Sequence, residues 1–357
     1  MNSDRFALNV VMLKHFTNNS LGIKDGENTL NGFFLNKSIL DAVAYNSYIE
    51  TISDKADTLY LRMKESLPEM VTYSYIDYIK RISKRFDWKS KSVMLAFDYT
   101  EEDFYGEVQG FDIHGWKKSS SISGKFKFLT CSLISDNTPE KIPLISIPIK
   151  LGHYKSQVID YCLSFVTPFF KSVNLVLFDR GFYDKDLMYS LTKKEFPFLI
   201  FIPKRKNLKE ILLSMDDGEC FEIIQEATLN KNKTKIKFEY FLTFMKQIYS
   251  AKADTNFDWV FATNIDTLDL ETLVKTYRKR WRIETGFRVQ DEAKIRCKSK
   301  DMKIRYFLFM FQQLLQTQWV CFFKEEVNFK QFLIEMQKTC TKLVNNPGKR
   351  FRRTQKH

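Results

Sequence analysis

Cysteine is sparse and unpatterned in this chain: Cys131, Cys162, Cys220, Cys297, Cys321 and Cys340 include no CxxC pair. A zinc ribbon and a disulfide framework are both disfavoured, and reduced thiols inside a cell are the simpler reading. Histidine is scarcer still. His15, His114, His153 and His357 have no partner at metal-ligand spacing, so zinc chemistry and a Ser-His-Asp triad lack support. Long uninterrupted apolar runs are also missing. The opening MNSDRFALNVVMLKHF has no signal-peptide core, and the most apolar late stretch, 306–323, is broken by Gln312, Gln313, Gln316 and Gln318. That stretch reads as a buried helix, not a membrane span. No lipidation signal or strongly amphipathic apolar helix accompanies the basic residues, which argues against a membrane partner.

What the chain has is positive charge. Lys and Arg number 56 against 43 Asp and Glu, a formal +13 in 357 residues. Cations that neutralise phosphates release condensed counterions, so a polyanion, nucleic acid first, is the partner such a balance favours. The 44% hydrophobic and 28% charged content is that of a soluble globular protein, long enough for two or three domains.

Residues 1 to about 35 show little regular period. From Leu40 to Met63 apolar residues recur at helical spacing until Pro68, and a second helix carries Tyr75, Ile76, Ile79 and Ile82 on one side with Lys80, Arg81, Lys84 and Arg85 elsewhere. Residues 1–88 are thus expected to be a helical N-terminal region, with DNA contact by its basic flank weighed against an ordinary solvated face. The next block, 89–204, alternates as an α/β fold does. Strands are expected at 92–100, 125–135 and 141–151, a helix at 153–170, a strand at LVLFD, a helix at 184–194 and a strand at 196–204. Residues 205–257 break the alternation and read as a β-containing insertion. A strand at 258–266, a helix over 276–298 and an apolar helix at 302–323 complete a second catalytic part, 258–330, before a basic C-terminal tail, 331–357.

Two expected strands deliver an aspartate at or near their ends: Asp98 in SVMLAFDYT and Asp179 in SVNLVLFDRGF. Either alone is most simply a cap on the turn after a strand. In TYRKRWRIETGFRVQDEAKIRCK, 276–298, Tyr277, Arg280 and Glu284 fall at i, i+3 and i+7, one face of a helix. Glu284 is flanked four residues away by Arg280 and Arg288, which alone would be a salt-bridged surface acid. Three carboxylates from two strands and a helix are a plausible cage for hard divalent cations.

FDYTEEDFYG around Asp98, LVLFDRGFYDKDLM around Asp179 and YRKRWRIETGFR around Glu284 together resemble the DDE transposases of bacterial and archaeal insertion sequences, in the subgroup with a β-rich insertion between the second Asp and the Glu. That family's signature is Tyr, two residues, Arg, three residues, Glu, six residues, Lys. Tyr277, Arg280 and Glu284 match it, whereas the Lys position holds Asp291, with Arg288 and Lys294 the nearest cations. The spacings 179 − 98 = 81 and 284 − 179 = 105 leave room for the expected elements and the insertion.

The resemblance implies an α/β fold: a ribonuclease-H-like mixed five-stranded sheet with flanking helices, a β-containing insertion before the last helices and a helical N-terminal region. It implies Asp98, Asp179 and Glu284 as catalytic metal ligands for two Mg2+ ions, with Mn2+ as a substitute. DNA cleavage at element ends and strand transfer into target follow from such a site. Tyr277, Arg280, Arg288 and Lys294 would contact DNA, as would Arg180, Lys204 and Arg205. Gly181 would give the turn after Asp179 a backbone angle closed to other residues. The implied partners are double-stranded DNA, at terminal repeats and target, and a second copy as a homodimer on DNA; the implied setting is the cytoplasm of a prokaryotic cell, at the nucleoid. Two alternatives share these features: an inactive or domesticated DNA-binding relative, and a ribonuclease-H-fold nuclease without strand transfer.

Overall fold

The computed structural model describes residues 3–24, 31–115, 122–134, 141–231, 234–250, 255–265, 270–281 and 289–345. The strands are β1 (Ser92–Phe104), β2 (His114–Gly115), β3 (Gly124–Ile134), β4 (Ile142–Pro148), β5 (Ser172–Phe178), β6 (Phe198–Phe201), β7 (Cys220–Lys231), β8 (Thr234–Ser250) and β9 (Thr255–Thr263). Five of them, in the order β4-β3-β1-β5-β6, make the expected ribonuclease-H-like mixed sheet. The β1–β3 and β3–β4 pairs are antiparallel, and the β1–β5 and β5–β6 pairs are parallel. The parallel strands are covered on both faces, which is why Leu175 to Phe178 form an unbroken apolar run.

The sheet does not stop at five strands. It continues from β6 through β9 and β8 to β7, each pair antiparallel. The insertion is therefore an extension of the same sheet, opened by a helix at Lys206–Leu213. Its hairpin packs back on the helix Lys185–Lys193 through Tyr189 and Phe238, whose ring centroids lie 5.7 Å apart. Beside it, the hydroxyls of Tyr183 and Tyr240 are 2.9 Å apart.

One sheet face is covered by the helix Met302–Phe322, which Asp301 caps by accepting from the Lys303 N–H at 2.8 Å. Phe309 stacks on Phe128 of β3 at 4.5 Å. The four glutamines that interrupt its apolar run are all buried; Gln313 accepts from Ser146 Oγ at 2.7 Å and donates to Thr130 Oγ1 at 3.3 Å. No helix among the described residues is long and apolar enough to cross a membrane.

The N-terminal helices share this core. Tyr75, on Pro68–Arg85, donates to the Pro143 carbonyl at 2.8 Å and meets Thr317 Oγ1 at 3.0 Å. Residues expected to lack a period form the helix Ser3–Leu21, which buries Phe6, Val10, Leu13 and Phe16 together with Asn9, Thr17 and Asn18. Polar residues on its buried side blur the amphipathic signal. The stripe from Leu40 to Met63 is not one helix but three, Gly32–Ala44, Ile49–Ile52 and Ala56–Glu65. Much of the expected tail is also helical: Phe329–Asn345 buries Phe332, Leu333, Met336 and Cys340, and the tail's remainder lies outside the described residues.

Candidate active site

Parallel pairing of β1 with β5 sets Phe97 opposite Phe178. The next residues, Asp98 within β1, which runs four residues beyond its expected end, and Asp179 just past the end of β5, therefore lie side by side, where neighbouring strands are about 4.8 Å apart. Alternation along β1 puts Asp98 on the face of Met94 and Ala96, the face covered by the helix Leu270–Arg278. That helix tightens into a 3-10 turn, Lys279–Trp281, so the single helix expected over 276–298 is not formed. Residues 294–300 form no helix: Arg296 is bridged to Tyr48, and buried and exposed residues alternate from Ala293 to Lys298.

Tyr277 and Arg280 carry the helix onto the aspartates. Arg280 Nη1 donates to Asp98 Oδ2 at 3.1 Å, and Nη2 lies 3.8 Å from Asp179 Oδ1. Its Nε donates to the Tyr277 hydroxyl at 3.2 Å, which in turn donates to Asp179 Oδ1 at a long 3.5 Å. One guanidinium thus spans both acids. The Tyr277 ring is 1% exposed and sits among Phe261, Phe201 and Trp259, at centroid distances of 5.1, 5.8 and 6.3 Å. Tyr277, expected to touch DNA, is buried here with its hydroxyl toward Arg280 and Asp179.

The electrostatics follow from burial. Desolvation pushes the Asp98 carboxyl above its ordinary range, against the pull of Arg280 and of the Tyr99 N–H that donates to Oδ1 at 2.8 Å; the nearby Asp179 charge adds to the rise. The Tyr277 hydroxyl is held well above its usual range, chiefly by burial. Asp179 is the open side of the site, its side chain 36% exposed against 17% for Asp98. Among the described residues no group of three or more His, Cys, Asp or Glu side chains is placed to hold a metal ion. The third expected acid, Glu284, and Arg288 lie outside the described residues. The donor chemistry of the two described acids, hard carboxylate oxygens converging from adjacent strands, fits a divalent cation of the Mg2+ class.

Residues 155–316 match the family of the transposase DDE domain. The match takes in Asp179, Tyr277 and Arg280, while Asp98 precedes it. In architecture the chain is similar to the piggyBac transposase, solved by cryo-EM in a synaptic complex with hairpin DNA. The TM-score is 0.55 at 10% identity, covering 95% of this chain and 80% of that chain. At that identity the likeness bears on fold alone. No curated protein matches the chain.

Around these two acids the other expected residues divide. Arg180 is exposed in the 3-10 turn Arg180–Phe182 directly after Asp179. Gly181 in that turn has no positive φ, and a Cβ there would meet open space; the geometry does not require glycine. Lys204 donates its ammonium to the Asp258 carbonyl at 3.0 Å and so ties β6 to β9. Arg205 is exposed at the start of Lys206–Leu213. Lys294 is exposed and lines a cleft with Glu102.

The paired aspartates have one charged neighbour that no sequence pattern marked. Lys141, at the entrance to β4, is 3% exposed; burial pushes its ammonium down to about 7, with Asp98 opposing. In KIPLISIPIKL it reads as a strand boundary, and its neighbour Asp98 is on another strand.

Proposed function

We propose that the chain is a DDE transposase that hydrolyses DNA at the ends of an element and transfers the freed 3′ ends into target DNA. Its partners in this reading are double-stranded DNA and a second copy of the chain, in the cytoplasm of a prokaryotic cell. The convergence of Asp98 and Asp179 on Arg280 carries the reading, because it joins acids from two adjacent strands to the Tyr-Arg part of the signature.

Asp98, Asp179 and Glu284 would hold two Mg2+ ions, or Mn2+ in their place, with Asp98 shared. Ions bound there make water nucleophilic, stabilise the leaving 3′ oxygen and offset the phosphate charge. Arg280 keeps the two aspartates together against their mutual repulsion and offers charge-assisted hydrogen bonds to a phosphate oxygen. Tyr277 orients Arg280 and Asp179 from its aromatic box. Since the freed 3′ hydroxyl repeats the same in-line displacement on target DNA, one site serves cutting and joining.

The test is a nicking and strand-transfer assay on terminal-repeat DNA with Mg2+ or Mn2+. Asp98→Asn, Asp179→Asn and Glu284→Gln are each expected to abolish nicking while a gel shift persists. Nicking retained by any one of them removes that residue from the site. Nicking without joining in the wild type favours a nuclease over a transposase.

A further inference from the structure

Beyond Asp98, β1 runs on past the acids, and alternation returns Glu102 to the same face four residues later, about 13 Å along the strand. There a cleft of about 470 Å³ opens between the end of β1 and the segment 294–300. Ile295 and Cys297 are buried, as is Ala293 before them, whereas Lys294, Arg296, Lys298 and Lys300 are exposed. With the alternate side chains locked in the core, all four cations are turned outward together.

Three further contacts fix this arrangement. Arg305 Nε donates to the Ser299 carbonyl at 2.8 Å, the Lys298 ammonium lies over the Tyr48 ring at 4.8 Å, and the Lys300 stem packs on Gly106, where a Cβ would come within 3.1 Å of it. The acids on the facing wall are engaged elsewhere. Glu102 pairs with Arg305 at 3.4 Å, and Glu101 with Lys125 at 2.9 Å and Lys127 at 3.7 Å. Asp103 accepts from the Tyr105 hydroxyl at 3.5 Å. Lys294, Arg296, Lys298 and Lys300 make no ion pair among the described residues.

We infer that 294–300 is a phosphate track gripping the backbone of one DNA strand, starting about 13 Å from the paired aspartates and leading away from them. This rests on the transposase reading above. In an extended chain the four cations span about 20 Å, the axial rise of roughly six nucleotides at 3.4 Å each. A duplex fits this track better than an acidic protein, because outward cations at every second residue match a periodic polyanion. Tyr105, 57% exposed on the far rim, supplies an edge for a sugar or base.

The test compares duplex binding by the full-length wild type and Lys294→Gln/Arg296→Gln/Lys298→Gln/Lys300→Gln between about 50 and 200 mM salt. Each lost phosphate contact should flatten the slope of log K against log salt by about 0.9, so the variant's slope should be shallower by about three to four, equally for any sequence. The pair Lys298→Gln/Lys300→Gln should show about half that change and serves if the quadruple variant does not fold. Neutral methylphosphonates about four nucleotides from the cut phosphate should weaken the wild type and leave the variant unchanged. A variant slope unchanged from that of a wild type that binds and cuts DNA overturns the track alone. A wild type that binds acidic protein or RNA but no duplex overturns the track together with the transposase reading.

Discussion

Arg280 is the residue on which the two aspartates depend. Replacing it by Met leaves Asp98 and Asp179 facing each other with no shared cation. Removing one partner of a buried pair destabilises by about 3–5 kcal/mol, and because Asp179 is partly exposed the lower end, about 3 kcal/mol, is expected for Arg280→Met. Urea unfolding without divalent ions measures it, and added Mg2+ should recover part of the loss if the acids hold the ion. Lys141 sets a pH dependence with a definite sign. Its folded pKa, about 7, lies below the ordinary lysine value of about 10.4, so the unfolded chain binds more protons between those values and stability rises with pH across that window. Lys141→Met should lack this rise, read as the difference between the two proteins' Tm profiles from pH 7 to 10. At this scale Tyr277 and Arg280 were legible because their spacing is a local property of one segment. Lys141 was not, because its role is set by a strand crossing that spacing does not encode, and Gly181 was over-read from a motif whose turn has ordinary backbone angles.

At the scale of elements, the helix Met302–Phe322 is joined to the sheet by polar contacts as well as by packing. Gln313→Leu would leave Ser146 and Thr130 bonded only to each other, at 2.7 Å, and should destabilise by about 1–3 kcal/mol; near-unchanged stability by chemical denaturation would count against the contact. The buried strands were legible as apolar runs with acids at or near their ends. The stretch 276–298 was legible only in part. Helical spacing placed Tyr277 and Arg280 on one face, but KIRCKSK already alternates with a period of two, as an extended segment does. The insertion's β-structure could be read from its residues, whereas its place in the same sheet depends on β9 returning beside β6, a pairing between distant segments.

Across the whole molecule, the N-terminal helices and the catalytic sheet share buried surface. Tyr75 meets Pro143 and Thr317, Thr72 Oγ1 lies 2.6 Å from the Tyr306 hydroxyl, and Arg5 donates to Glu326 and to the Phe322 carbonyl. A fragment of residues 89–357 should therefore fail to reach a cooperative fold: broad thermal melting and dye binding to exposed apolar surface are expected, and a sharp native-like transition would show that residues 1–88 are dispensable.

The hairpin of β7 and β8 is hydrogen-bonded in series, through β9 and β6, to the strand that ends at Asp179. A load applied at the far end of the hairpin is thus carried along the ladder to the neighbourhood of Asp179. That end is accordingly a place to attach a fluorescent or mechanical probe that senses what happens at the paired aspartates without touching them.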